Sequence, residues 1–330
     1  MDSTAISAWF RLFEWAPGDP SWLQRRKAIW AWRKQKKARR WVRVLRFVPF
    51  VRMIAIGNDL GYGNCSDASD IDLVIVTAPR RVWFARLCVV ALLRLSRQRP
   101  GEHSRDAICP SFFLTTEAMD LEELQIGAES RIMNNESWDR CDASLPLDPY
   151  LLFWVTQLTV LYDVGGTYDA FWRANGQWAR RWLPDARPRA MHPRLVVRHC
   201  EPKSRRFASL GDKLREVLPA QGTDDRDCHE PMAIGSRNDT QDGWPRRLGD
   251  ALERWCRAFQ ERRFSSEVRA LVNRDTRVIA TDRMLKFHTS DRRAEYRDRW
   301  LIALNASAHT SARQAHTESS GTLPVHGCFR

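Results

Sequence analysis

Apolar and polar positions change their period several times along this chain. Over residues 21–48, Trp30, Trp41, Val44, Leu45 and Val48 recur at roughly helical spacing, and Pro49 closes the helix they predict. Residues 51–57 and 72–77 are short runs apolar on both faces, as in strands covered on both sides of a sheet. Residues 80–97 predict an amphipathic helix. Residues 107–114 predict a third strand, in which Pro110 requires an edge or a bulge. From about residue 117 the pattern turns helical. Residues 147–162 read as one strongly apolar helix, Gly165-Gly166 breaks it, and 167–183 predict another, closed by Pro184. Periodicity fades over 184–247, where Pro, Asp, Arg, Gly and His gather in a linker or poorly ordered insertion with a short helix around 207–218. Residues 248–273 return to amphipathic helix. Residues 305–330, rich in Ser, Thr and His, read as a disordered tail.

This order predicts an α+β chain: a small mixed sheet with flanking helices in residues 1–120, then a mainly helical region. The helical part divides into 121–183, the linker 184–247 and a C-terminal segment 248–304 ahead of the tail. No internal repeat is visible.

Charge changes the reading of the first helix. The chain carries a formal net charge of +13, which favours anionic partners. Between positions 25 and 52 stand twelve Lys and Arg residues, and no acid occurs from Pro20 to Asn58. That pattern is either a solvated amphipathic helix or a basic face for nucleic acid. Eight cysteines occur without a CxxC pair or zinc-finger spacing and read as reduced, mostly buried thiols. The apolar stretches are shorter than the ~20 residues of a spanning helix. The start, MDSTAISAWFRLFEW, lacks the basic opening and small-residue cleavage site of a signal peptide. The expectation is a cytoplasmic protein with no membrane contact.

Candidate chemistry lies at residues 57–76, GNDLGYGNCSDASDIDLVIV. Side chains at i and i+2 of a strand share a side, so Asp70 and Asp72 converge at one end of the sheet. Two close carboxylates repel, and burial raises the cost. A divalent cation removes that cost, and oxygen-only ligands suit Mg²⁺ or Mn²⁺, which keep positions for water and phosphate. Gly57, Gly61 and Gly63 allow backbone conformations that bring N–H groups towards phosphate oxygens. The pattern points to a nucleoside triphosphate.

These residues resemble the motif of the DNA polymerase beta-like nucleotidyltransferase superfamily: a hydrophobic residue, Gly, then Gly or Ser, a spacer, and Asp-hydrophobic-Asp/Glu-hydrophobic. Here the motif is Ile56-Gly57-Asn58, eleven residues, then Asp70-Ile71-Asp72-Leu73, with Ser69 in front giving SDIDL. The strings VRMIAIGN, SDIDLVIVT, YDAFWRANGQWARRWLP and MLKFHTSDRRAEYRDRW also resemble a little-characterised group of bacterial proteins with this domain, which extends the likeness to about residue 304. The resemblance implies metal ligation by Asp70 and Asp72, and triphosphate contacts at Gly57 and Asn58, with Gly63 and Ser69 completing the nucleotide side. Asn58 departs from the usual Ser. A third carboxylate is implied on a later strand, with Asp106 the candidate and Glu117 the poorer one. The implied reaction is Mg²⁺-dependent transfer of a nucleoside monophosphate from a nucleoside triphosphate to an acceptor hydroxyl of a small molecule, protein or RNA. The rival is a non-catalytic nucleotide- or nucleic-acid-binding protein on a degenerate fold of this kind.

Two further features are ambivalent. Lys286, His288, Asp291, Arg292 and Arg293 read either as positive charge for a triphosphate or acceptor, or as a helix start capped by Ser290 or Asp291. The tryptophans from Trp154 to Trp182 read as core, with base stacking the alternative.

Overall fold

The computed structural model describes residues 21–61, 63–102, 105–126, 148–189 and 246–299. Strands β1 (Val51–Ile56), β2 (Ile71–Thr77), β3 (Ile108–Thr115), β4 (Thr159–Asp163), β5 (Val278–Ala280) and β6 (Met284–Phe287) form one mixed sheet in the order β4-β1-β2-β3-β6-β5. β2 and β3 are parallel; every other neighbouring pair is antiparallel. The helices are α1 (Ser21–Leu45), the single turn α2 (Asn58–Gly61), α3 (Val82–Leu95), α4 (Pro149–Thr156), α5 (Thr167–Trp182), α6 (Arg246–Glu261) and α7 (Ser266–Leu271). Residues 293–299 are also helical.

The continuous apolar run of β2 follows from burial on both faces. Ile71, Leu73 and Ile75 join one core with Ala38 and Val42 of α1, Trp83 and Val89 of α3 and Cys256 of α6. Val74 and Val76 join the other, with Leu151 and Trp154 of α4 and Phe171 and Trp178 of α5. Trp154, Trp172 and Trp178 are buried, so the tryptophan-rich stretch supplies core.

The α+β class and the mixed sheet match the expectation, and three elements correct it. The apolar stretch read as one helix over 147–162 holds helix only at Pro149–Thr156 and continues as β4. Thr159-Val160-Leu161-Tyr162 has the β-branched and aromatic character of a strand, and it pairs antiparallel with β1. The region read as helical over 121–183 therefore contributes a strand. The helix expected over 248–273 is broken at 262–265 into α6 and α7, and Ser265 caps α7 by accepting from the Val268 N–H. The segment read as helical to 304 then supplies β5 and β6, strands of three and four residues, too short for a period-2 pattern to register. The linker and tail fall mostly or wholly outside the described residues, as do the helix expected around 207–218 and Cys141, Cys200, Cys228 and Cys328.

Pro110 sits in a bulge. Asp72 pairs with Cys109 and Val74 with Phe112, leaving one extra residue on β3. β6 pairs only with Phe112–Leu114, so the missing Pro110 N–H breaks no bond to it.

Part of the basic face of α1 turns inward. Fully buried Lys34 donates to the backbone carbonyls of Asp67 and Ser69 and pairs with Asp106 at 2.9 Å. Arg33 holds Asp106 at 2.6 Å and Asp67 at 2.7 Å, and Lys37 donates to the Arg105 carbonyl. These cations staple the connection that carries Asp70 to the helix. No helix among the described residues is long and apolar enough to cross a membrane.

Candidate functional site

Three strand ends meet where Asp72 stands. The Gly57 N–H donates to the Asp72 carbonyl at 3.1 Å, and the Ile71 N–H to the Ala107 carbonyl at 2.7 Å, which fixes the end of β1 and the heads of β2 and β3. By strand alternation Asp72 lies on the same side as Val74 and Val76, facing α4. Asn58 follows β1 with a left-handed φ of 52°, a conformation Asn adopts more readily than most residues. There its amide nitrogen donates to Asp72 Oδ2 at 2.8 Å, and its oxygen accepts from the Tyr150 hydroxyl at 2.9 Å.

The carboxylates are electrostatically strained. Burial, with repulsion from Asp70 and Asp59, pushes Asp72 up to about 6 against the Asn58 hydrogen bond. Burial also raises Asp70, opposed by the charge of Lys34. Two hard oxygen donors whose ionised forms are disfavoured fit Mg²⁺ or Mn²⁺, which take one or two carboxylates and complete the shell with water and phosphate. Among the described residues no group of three or more His, Cys, Asp and Glu is arranged to hold a metal, so Asp70 and Asp72 would supply only part of a shell.

The other expected site residues lie elsewhere or are engaged. Asp106 is turned to α1, where Arg33 and Lys34 hold its carboxyl below the usual range against the effect of burial. Glu117 follows the far end of β3, a strand parallel to β2, so it lies at the opposite end of the strands from Asp72. The β3 residue beside Asp72 is Cys109, whose thiol is pushed up to about 12 by burial and the two aspartates. The remaining carboxylate whose charge reaches Asp72 is Asp59, on α2.

The glycine-rich connection departs from the expectation of free backbone donors. The Gly57 N–H is spent on Asp72. A Cβ at Gly57 would fall 2.7 Å from Trp154 Nε1, so this position is glycine because an indole lies against it. Gly63 has φ 82° and donates its N–H to the Leu60 carbonyl at 3.3 Å. Ser69 belongs to a turn, with its N–H and hydroxyl both bonded to Ser66 and its carbonyl to Lys34.

Beside Asn58 opens a cavity of about 210 Å³, walled by Phe112 of β3, Tyr150 and Trp154 of α4, and Lys286 and His288. The segment MLKFHTSDRR thus folds onto the rim of the aspartate site: its first four residues are β6, which sets Lys286 opposite Phe112. Asp291 accepts from the Arg293 N–H ahead of the helical turn at 293–299. Arg293 is buried and pairs with Asp148 at 2.9 Å and Asp291 at 2.6 Å. Its role is to brace the wall.

Tyr150, Cys109 and Asp59 escaped the sequence reading. Asp59 stands inside the motif and was legible as a third acid near the pair. Tyr150 and Cys109 reach the site only through the packing of α4 and the register of β3, which no local pattern states.

No family model, curated protein or solved structure matches this chain.

Proposed function

We propose that the chain is a divalent-cation-dependent nucleotidyltransferase with the fold of the DNA polymerase beta-like enzymes. In this reading Asp70 and Asp72 hold Mg²⁺ or Mn²⁺ with a nucleoside triphosphate, and the nucleoside monophosphate passes to an acceptor hydroxyl. The observation that carries the reading is the carboxylate pair at the head of β2: burial disfavours the charge of both, Asp70 adds to it at Asp72, and Asn58, bonded to Asp72, lines a cavity containing basic and aromatic side chains.

The residues divide the work. The Asn58 amide fixes the orientation of Asp72, and the Tyr150 hydroxyl fixes which end of that amide faces the carboxylate. When bound, the cation neutralises the triphosphate and polarises it for displacement. The acceptor oxygen attacks the α-phosphorus, its proton passes to Asp59 or water, and pyrophosphate leaves.

A second reading, nucleotide binding without turnover, is favoured by one observation: Asp106 is bound to Arg33 and Lys34, and β3 offers Cys109 beside the pair. Cation-dependent transfer of label from α-labelled nucleoside triphosphates, compared with calorimetric binding of the same nucleotides, separates the two. Turnover abolished in Asp72→Asn supports the enzyme. Binding without transfer in wild type leaves the second reading. No binding in the presence of Mg²⁺ or Mn²⁺ overturns both.

A further inference from the structure

Lys286 is placed where a cation has no structural reason to be. It projects from β6 to the α4 side of the sheet, into the wall of the cavity beside Asn58. Its ammonium donates to the Thr276 carbonyl, and among the described residues no carboxylate lies within ion-pair distance of it. Asp291, whose charge reaches it, is already bonded to Arg293 through both carboxylate oxygens. Asp148 is likewise committed, to Arg293 and to backbone N–H groups at Leu151 and Ile126. Arg292, also on the rim, is paired with Glu295 outside the cavity.

Lys286 is half-buried, and an ammonium drawn partly out of water for structure alone has a carboxylate partner or several oxygen acceptors to offset its desolvation. Lys286 has one carbonyl and open space. Arg293, on the same rim, shows the ordinary solution with two carboxylates. Burial, then the charge of Arg293, pulls Lys286 down to about 8, and the weak fields of Asp291 and Asp148 do not restore it. His288 beside it is pulled down to about 4, by burial and by Lys286 itself, so it stands neutral at pH 7 as a hydrogen-bonding group. The aromatic side chains of Phe112, Tyr150 and Trp154 line the same cavity.

We propose that Lys286 and its cavity are the seat of a doubly charged phosphate group. This inference deepens the proposed function, since a cation at Asp70 and Asp72 brings phosphate to the neighbouring rim. The phosphate belongs to one of two sources: the polyphosphate tail of the nucleotide, or a phosphorylated acceptor approaching over β3 and β6. A dianion supplies the missing partner of Lys286, accepts from His288, and leaves the aromatic walls to a planar or apolar part of the same ligand.

The test uses the full chain and inorganic phosphate as the first probe. Lys286 is labelled with an amine-reactive sulfonate at pH 8, and its modification is followed by peptide mass spectrometry with and without phosphate. Phosphate is expected to protect Lys286 while the exposed lysine Lys36 labels at an unchanged rate. Calorimetry of phosphate binding is expected to show roughly a tenfold or greater loss in Lys286→Met and partial retention in Lys286→Arg. A melting temperature in Lys286→Met at or above that of wild type confirms that the fold is kept. Unchanged labelling at saturating phosphate, or equal phosphate affinity in Lys286→Met, overturns the seat.

A non-hydrolysable nucleoside triphosphate with Mg²⁺ then identifies the source. Competition with phosphate assigns the seat to the nucleotide tail, and simultaneous binding assigns it to the acceptor. If phosphate binding depends on Lys286 but no nucleotide binds in the presence of Mg²⁺ or Mn²⁺, the seat stands and the nucleotidyltransferase reading falls. If nucleotide binding depends on Asp72 while phosphate ignores Lys286, the reverse holds.

Discussion

Two residues set the energetics of the candidate centre, and each is testable by one substitution. Asp72 has its proton affinity raised in the fold, so its contribution to stability is fully present below the unfolded value of 3.8 and lost as pH rises through about 6. Metal-free wild-type protein should therefore melt lower at pH 7.5 than at pH 5, against the background of its other groups. Asp72→Asn should remove that component, raising stability at pH 7.5 by at most about 3 kcal/mol; parallel melting curves for the two proteins across this range would refute the strain. Gly57 makes the opposite prediction. A methyl group there meets Trp154 Nε1 at 2.7 Å, so Gly57→Ala should lower the urea midpoint by an amount worth about 1–3 kcal/mol. Trp154→Phe in the same chain should return part of it. The aspartates were legible in sequence because acid-apolar-acid at a strand head has few structural uses. Gly57 was legible as a glycine and misread in purpose, because the indole against it comes from a helix almost a hundred residues onward.

At the scale of elements, helix α3 shows how far a local signal can be replaced by a distant one. Its N-cap residue, Arg81, makes no side-chain cap bond. The orphan N–H groups of Trp83 and Phe84 are instead taken by the two oxygens of Glu253 on α6, at 2.7 and 3.0 Å. Burial pushes Glu253 up to about 7 despite those two bonds. Its share of stability should then be fully present below 4.5 and fall as pH rises through about 7. Glu253→Gln should flatten the melting temperature over that window. Glu253→Ala should cost about 1–2 kcal/mol, as the loss of a cap does; a neutral result in Glu253→Ala would show that α6 does not hold the start of α3. The helices α1, α3 and α5 were legible because each carries its own period, and the strands β1, β2 and β3 because each is a short apolar run. β4 was hidden because Leu151 to Tyr162 is apolar but for Thr156, Gln157 and Thr159, and in so apolar a run a strand and a helix look alike. β5 and β6 were hidden by brevity: their pairing with each other and with β3 makes them strands.

The charge of the whole molecule is unevenly spent. Lys34 is buried and Arg33 and Lys37 are bonded inward, whereas Arg25, Arg26, Lys36, Arg40 and Arg43 are exposed along α1 with Trp22, Ile29 and Trp32. If this surface meets a nucleic-acid backbone, the logarithm of affinity for tRNA or duplex DNA should fall with the logarithm of salt at a slope of about −4, from counterion release at several contacts. Reversing Lys36, Arg40 and Arg43 to Glu should flatten the slope without unfolding the chain. Reversing Lys34 would test nothing on the surface, because Lys34 is itself buried, on the Asp67 and Ser69 carbonyls and the buried Asp106. Absence of polymer binding near physiological salt in the wild type would leave the exposed face as a solvated one.

The sheet closes out of sequence, and that has a bearing on biosynthesis. β3 is made early, yet its outer neighbour β6 emerges from the ribosome only after most of the chain has been translated. Until then a nascent chain carries an open strand edge and a half-built cavity, with Lys286 still to come. Long-range pairing of this kind slows folding and exposes the edge to misassembly. Premature termination before Met284 would yield a polypeptide that holds Asp70 and Asp72 but presents an unsealed β3 to chaperones and proteases. Ligand competence would therefore be acquired late, at nearly the same moment as a finished sheet.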